Sequence, residues 1–199
     1  PLYGAMLEET DQHIGIILDY LKKVGELDNT YVIFTSDNGS ECIPRTKENR
    51  RNNGPLQEGK YSCFEGGIRV PLLVKWPGKV KAGSISDKMI GFEDWMVTLH
   101  KLIDVEVPIY AKHDGHDQAS HILGKCHLAR PPLYREFSGC GGQQAVWMGK
   151  WKGIRQKMIR KGKNHDPLKI ELFDLSKDES ESEDNSPLAI EDKRQKMFE

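Results

Sequence analysis

The segment Y-V-I-F-T at residues 31–35 constrains the fold most strongly. Its β-branched and aromatic residues show no polar alternation, which predicts a short strand that is covered on both faces. Apolar residues at Ile14, Leu18 and Leu21 precede it with helical spacing, so we expect an amphipathic helix over residues 4–24. A helix, a short turn and a buried strand in this order are typical of α/β proteins.

The alternation of predicted helices and strands continues to about residue 108. A second buried strand is predicted over 71–76, a short strand over 86–89 and a helix over 94–105 that Asp94 caps. The apolar residues of that helix should face inward, namely Trp95, Leu99, Leu102 and Ile103. We therefore assign residues 1–108 to an α/β core.

The remaining residues, 109–199, predict a small C-terminal α+β subdomain. Its strand-like runs cover residues 133–137, 144–148, 152–156 and 170–175, and we expect them to form a four-stranded antiparallel sheet. Gly149-Lys150 is a hairpin turn signal between two of these strands. The acidic, serine-rich segment 176–186 is expected to be a solvated loop, and residues 187–198 a terminal helix.

Composition excludes several classes of function. The 199 residues carry a net charge of -1 and are 37% hydrophobic and 30% charged, so neither a nucleic-acid partner nor general disorder is indicated. No apolar run approaches the roughly 20 residues that a membrane span needs. The chain begins with Pro1 and without a signal-peptide pattern, so we expect it to begin within a longer protein. The cysteines Cys42, Cys63, Cys126 and Cys140 form no C-x-x-C pair, which argues against a zinc ribbon and leaves disulfide pairing open.

Asp37 and Asn38 directly follow the first predicted strand. Ligands of open α/β sheets bind at the carboxyl ends of strands. Carboxylate and amide oxygens are hard donors that suit Ca²⁺ or Mg²⁺ better than zinc or copper. The alternative is an ordinary reverse turn, for which D-N-G is a favoured sequence.

Two further motifs follow in order. G-P-L-Q-E-G-K spans residues 54–60, and E-G-G-I-R-V-P spans 65–71 and leads into the second strand, after which W-P-G occurs at 76–78. Together with T-S-D-N-G at 35–39, this order resembles the C-terminal half of the sulfatase family, within the alkaline-phosphatase-like superfold. Segments L-Y-R-E-F, W-M-G-K-W-K-G-I-R and E-L-F-D-L-S-K-D-E also resemble that family's C-terminal region, so the likeness covers nearly the whole chain.

The resemblance implies specific roles. Asp37 and Asn38 would be metal ligands, usually to calcium, and Lys60 would be a catalytic residue that binds a sulfate oxygen of the substrate. The chemistry agrees, since a dication and an ammonium group stabilise the charge that develops as a sulfate ester breaks. Glu65 and Arg69 are expected to form an ion pair that supports the loop of Lys60. The substrate would be a sulfated small molecule or carbohydrate, and the family resemblance suggests an exported protein.

The family's nucleophile is absent from the expected place. A formylglycine formed from Cys or Ser in C/S-x-P-x-R would precede the metal pair, but residues 1–36 contain no such motif. Cys42-Ile43-Pro44-Arg45 resembles it, yet its arginine comes one position early and it follows Asp37. We therefore expect the chain to be the C-terminal portion of a sulfatase, inactive alone, whose formylglycine and remaining calcium ligands lie in an N-terminal half.

Other signals leave alternatives open. A phosphodiesterase or phosphonate hydrolase of the same superfold would add histidine ligands, and a non-catalytic module could bind sulfated glycans through the basic segment 45–51. Asn38-Gly39-Ser40 matches a glycosylation sequon, which conflicts with a metal-ligand role for that asparagine. His113, His116 and His121 are close in sequence, but they lie in what resembles a variable linker of the family and are not expected to bind metal.

Overall fold

The computed structural model describes residues 2–41, 53–106, 108, 112–125, 129–159 and 168–186. The chain forms two compact units: Pro1–Phe34 with Leu72–His127, and Thr35–Pro71 with Leu128–Glu199. The loop that carries the sequence motifs therefore belongs to the same unit as the C-terminal sheet. The domain division at residue 108 stays a prediction.

The first unit contains α1 (Leu2–Lys23), a 3₁₀ turn (Leu27–Asn29), β1 (Val32–Thr35), β2 (Leu72–Lys75), α3 (Asp94–Leu102) and α4 (Ala119–Ile122). Strands β1 and β2 pair in a two-stranded sheet, and β1 runs on into the second unit at its last residue. Within the described residues, no helix is both long and apolar enough to span a bilayer.

The predicted strand over 86–89 is wrong, because these residues have irregular backbone. The hydroxyl of Ser86 accepts a hydrogen bond from the backbone N–H of Lys88 at 3.1 Å and lies 2.9 Å from Nε2 of His121. Local side-chain bonds of this kind compete with the ladder of a sheet.

The predicted burial of β1 and β2 is also wrong for this chain, and the apolar residues of the amphipathic helix α1 are not buried either. Phe34 on β1 is 45% exposed and Leu73 on β2 is 59% exposed, and α1 contains no buried residue, with Ile17 60% exposed. A strand becomes buried only when other layers cover it. Among the described residues each of these strands has one partner strand, so their apolar side chains stay accessible.

Helix α3 is held by Asp94, which is fully buried but does not cap the helix. Its Oδ2 accepts a hydrogen bond from the N–H of Gly91 and its Oδ1 one from the N–H of His116, both at 2.9 Å. One turn on, Oγ1 of Thr98 accepts from the N–H of Gln118 at 3.0 Å. The helix ends before Ile103, which is 63% exposed instead of facing inward as predicted.

The second unit contains α2 (Glu65–Ile68) and the strands β3 (Leu133–Phe137), β4 (Gln143–Met148), β5 (Trp151–Gln156) and β6 (Glu171–Asp174). They form an antiparallel sheet in the order β3-β4-β5-β6, with Ala145 opposite Ile154 and Gly153 opposite Leu172. Paired residues share a face of the sheet, so Ala145 and Ile154 lie on one face and Leu172 lies on the other. All three side chains have no exposed surface, so the sheet is covered on both faces at these residues. The predicted sheet and its hairpin turn are confirmed, whereas the helix predicted over 187–198 lies outside the described residues.

Replacing Asp94 by alanine should destabilise the protein, because two amide donors, those of Gly91 and His116, lose their acceptor. We expect the free energy of unfolding to fall by about 2–4 kcal/mol. Urea unfolding followed by circular dichroism measures this. Asp87→Ala removes an exposed carboxylate nearby as the matched control, and equal midpoints for the two variants would contradict the assignment.

Candidate functional site

Asp37 and Asn38 lie in a bend just beyond β1. The hydroxyl of Ser36 donates to the carbonyl of Asn38 at 3.0 Å, and Nδ2 of Asn38 donates to the carbonyl of Gly39 at 2.9 Å. Within the described part of the chain, neither the carboxylate of Asp37 nor Oδ1 of Asn38 accepts a hydrogen bond. Asp37 is exposed, so its oxygens are free to bind an ion.

The side-chain oxygens of Asp37 and Asn38 suit a hard dication but do not complete its coordination shell. Two side-chain oxygens are a minority of the 6–8 ligands that Ca²⁺ usually takes. No cluster of three or more His, Cys, Asp or Glu side chains suited to a metal occurs among the residues that the structure describes. Asp37 and Asn38 can therefore contribute to a cation site whose other ligands come from elsewhere.

The backbone brings this bend against the loop that contains Lys60. The N–H of Gly39 donates to the carbonyl of Gly67 at 2.8 Å, and the N–H of Lys60 donates to the carbonyl of Ser40 at 3.0 Å. A Cβ atom on Gly39 would overlap the carbonyl group of Gly66. Glycine is therefore required at residue 39 by the close approach of two backbones.

We call residues 57–69 the Lys60 loop. It closes on itself through a hydrogen bond from the N–H of Gly66 to the carbonyl of Gln57 at 2.8 Å, and a Cβ on Gly66 would overlap that carbonyl. Glu58 and Tyr61 adopt left-handed backbone with φ of 59° and 76°. Such conformations cost non-glycine residues roughly 1–2 kcal/mol each, and they concentrate at functional sites. Lys60 lies between these two strained residues.

The ammonium group of Lys60 is partly exposed and lies 5.4 Å from the ring centre of Tyr61. That ring stacks on Phe137 of β3, with centroids 6.3 Å apart. In the described residues Lys60 forms no ion pair, so its charge can meet an incoming anion.

Glu65 anchors the Lys60 loop, but its main partner differs from the predicted one. Arg69 lies 3.9 Å from Glu65, is half exposed and also contacts Glu179 at 3.6 Å, so the predicted pair is present but loose. Oε1 of Glu65 instead accepts from Nζ of Lys152 and from Nε1 of Trp147, each at 3.0 Å. The side chain of Lys152 has no exposed surface, and its Nζ lies 4.6 Å from the ring centre of Trp147.

Glu181 completes this buried cluster. Its Oε2 accepts from the backbone N–H of Glu65 at 2.6 Å. Its Oε1 lies 2.6 Å from Nζ of Lys152, in an ion pair whose angles do not satisfy hydrogen-bond geometry. The prediction of a solvated loop over 176–186 is therefore wrong for Glu181, which is 3% exposed.

Burial raises the pKa of Glu181 to about 7, against the lowering effect of Lys152. Since the pKa in the folded protein lies above the ordinary value of 4.5, the folded state binds the proton more tightly than the unfolded chain. The stability that this proton contributes is complete below about pH 4.5 and is lost as the pH rises through about 7.

Cys63 and Gln143 make a second attachment of the Lys60 loop to the sheet. Oε1 of Gln143 accepts from the N–H of Cys63 at 2.9 Å, and its Nε2 donates to the carbonyl of Tyr61 at 3.3 Å. Cys63 is a free thiol, and burial raises its pKa, which is unfavourable for a thiolate nucleophile. Cys140 is also free, whereas Cys42 and Cys126 lie outside the described residues.

Sequence reasoning missed Lys152, Trp147 and Glu181 as members of this site. One signal was present: Lys152 shares the strand face of Ile154, two residues away, and both are fully buried. A lysine at a core-facing strand position requires a buried anionic partner. Nothing in the local sequence identifies Glu181 as that partner.

Comparison with known proteins agrees with this geometry. The sulfatase family profile matches residues 1–105, and the profile described as N-sulphoglucosamine sulphohydrolase, C-terminal, matches residues 59–196. N-acetylgalactosamine-6-sulfatase of Rattus norvegicus is 35% identical in an alignment 162 residues long, which covers 77% of this chain and 31% of that protein. N-acetylgalactosamine-6-O-sulfatase of Bacteroides thetaiotaomicron is 30% identical in an alignment 194 residues long, which covers 89% of this chain and 37% of that protein.

Solved structures show the same relationship. Crystal structures of Ps i-CgsB, alone and in complex with k-i-k-neocarrahexaose, superpose with TM-scores of 0.76 and 0.74 at 29% identity, covering 89% of this chain and 37% of theirs. The predicted fold class, part of an alkaline-phosphatase-like α/β protein, is confirmed. The chain spans about a third of the length of the curated relatives it matches. Because the sulfatase profile alone matches more than half of its residues, the chain belongs to the sulfatase family.

Proposed function

We propose that this chain supplies the C-terminal part of an enzyme that hydrolyses sulfate esters of carbohydrates. The observation that carries the proposal is the backbone contact between the Asp37-Asn38 bend and the Lys60 loop, made by the N–H groups of Gly39 and Lys60. It brings the oxygen donors of Asp37 and Asn38 and the ammonium group of Lys60, which forms no ion pair among the described residues, into one substructure. Relatives named as N-acetylgalactosamine-6-sulfatases support a sulfated sugar as the substrate class.

In this proposal Lys60 binds a nonbridging sulfate oxygen and lowers the energy of the transition state more than that of the ground state. As the ester bond breaks, negative charge grows on the bridging oxygen of the ester sulfate, and a fixed ammonium that already contacts the sulfate group needs no reorganisation. Asp37 and Asn38 would hold a calcium ion, which acts as a Lewis acid toward the sulfate when bound.

The nucleophile and the other calcium ligands are proposed to come from the family's N-terminal half. The sequence has no C/S-x-P-x-R motif before Asp37. The first unit also leaves apolar side chains accessible on three elements, including Ile17, Phe34 and Leu73. Exposed apolar area of this extent favours association with another layer. The N-terminal half is the proposed occupant.

Lys60→Met should reduce kcat/KM for a sulfated monosaccharide by roughly 100-fold or more in an active sulfatase that carries this chain, because one charge-stabilising donor is lost. Lys79→Met, at an exposed turn, is the matched control and should stay near the parent value. Salt-sensitive glycan binding that persists undiminished in Lys60→Met, with no turnover by the parent, would instead support a non-catalytic binding module.

Asp37→Ala should weaken calcium binding by the same enzyme. We expect the calcium concentration for half-maximal activity to rise about tenfold or more, since a charged ligand is removed. Titration of activity with calcium after chelation measures it. Asp28→Ala removes another exposed carboxylate just before β1 and serves as control; identical calcium curves for both variants would refute a ligand role.

The 199 residues assayed alone should hydrolyse no aryl sulfate above the buffer rate, because the proposed nucleophile and most calcium ligands are not among them. Release of the coloured phenol from nitrophenyl sulfate, with added calcium, is the measurement. Turnover that follows the purified chain through two chromatographic steps would show that the chain contains a complete site.

A further inference from the structure

The Lys60 loop depends on side chains for its attachment to the sheet. Its internal hydrogen bonds, such as that from Gly66 to Gln57, shape the loop but do not fix it to β4 or β5. Two sets of contacts attach the loop to the sheet. Gln143 makes one attachment, and the buried cluster of Glu65, Lys152 and Glu181 makes the other. The attachment of the Lys60 loop to the sheet therefore involves Gln143, Lys152 and Glu181, which lie outside the loop itself.

Lys152 is the central cation of that cluster. Two carboxylates contact its ammonium, Glu65 at 3.0 Å and Glu181 at 2.6 Å, and all three side chains are at most 7% exposed. Arg69, the other cation near Glu65, is half exposed at 3.9 Å and also shared with Glu179. Without Lys152, two buried carboxylates would face each other with little compensation, which is strongly unfavourable.

We propose that Lys152 is a positioning residue for Lys60: through Glu65 and Glu181 it fixes the Lys60 loop against Gly39 and so sets where the sulfate-binding ammonium lies. This inference rests on the proposed function and extends it to residues on β5 and in the loop after β6. Helix α2 has only four residues, whereas the sheet is built from four strands of four to six residues each. Loss of Lys152 should therefore release the loop locally and leave the sheet folded.

Lys152→Met tests this in an active sulfatase that carries the chain, because methionine keeps much of the volume of lysine and removes the charge. Hydrogen–deuterium exchange of peptides from 57–69 should accelerate about tenfold or more, with peptides from 143–156 within about twofold of the parent. At a temperature where the variant is folded, kcat/KM should fall about tenfold or more and inhibition by inorganic sulfate should weaken by a similar factor.

Lys150→Met is the matched control. Lys150 lies on the same hairpin, and its Nζ forms a 2.7 Å ion pair with Asp174, but this pair does not touch the Lys60 loop. Loop exchange and kcat/KM should stay within about twofold of the parent in this variant. An equal loss in Lys150→Met would mean that any lysine of this hairpin acts through general stability, and the proposal would fail.

A second variant separates charge from folding. Lys152→Met/Glu181→Gln leaves one carboxylate in the cluster instead of two, so it should recover several-fold of the lost kcat/KM. If Lys152→Met does not fold, Glu65→Gln, which still accepts from Trp147, should loosen the loop in the same direction but less. Unchanged exchange of 57–69 in Lys152→Met, or in Glu65→Gln where the former does not fold, overturns the proposal.

The proposed function and this inference fail in different ways. If Lys60→Met retains full turnover while Lys152→Met still loosens the loop, the role of Lys60 is wrong and the anchoring is right. If Lys60→Met abolishes turnover but Lys152→Met changes neither loop exchange nor kcat/KM, the role of Lys60 stands and Lys152 does not position it.

Discussion

The contact of two glycine-containing backbones determines the rest of the site. Gly39 approaches Gly66 so closely that any side chain would collide with a carbonyl, and its N–H bonds to Gly67. This contact joins two segments that are separate in the sequence, one that follows β1 and one that precedes β2. Because hydrogen bonds between backbones fix both distance and direction, the Asp37-Asn38 bend and the Lys60 loop have a fixed relative position and orientation.

The proposed role of Lys60 requires a loop with a fixed position, and the contacts that fix this loop are partly electrostatic. A buried ion cluster such as Lys152 with Glu65 and Glu181 adds little net stability, because desolvation offsets most of the attraction. Its effect is on geometry: the cluster is favourable in one arrangement, and any displacement leaves a charge buried without a partner. The strained backbone at Glu58 and Tyr61 persists because the loop is fixed in this way at both sides.

The features that the sequence predicted correctly are those set by local chemistry. The strands β3 to β6 follow apolar patterns and a Gly149-Lys150 turn, and three ordered motifs indicated the family. The errors arise from tertiary context. Burial of β1 depends on layers that the described residues do not supply, and the segment around Ser86 makes side-chain bonds to His121 instead of a strand ladder. In the sequence Glu181 is one acid among many in a polar segment, yet the fold brings its carboxyl group to Lys152 and to the N–H of Glu65.

The protonation of Glu181 limits how the anchor works. Its pKa of about 7 lies above the ordinary value because burial disfavours the charged form, so this carboxyl takes up a proton at a higher pH than an exposed glutamate does. When the carboxyl is charged, Lys152 lies 2.6 Å away and compensates its charge. Glu65, which accepts from Trp147 as well as from Lys152, keeps its partners in either state, while Glu181 keeps its bond from the N–H of Glu65 whether or not it is charged. We therefore expect Lys152 to determine the geometry of the Lys60 loop. The pH should change only the free energy with which the cluster holds the loop in place.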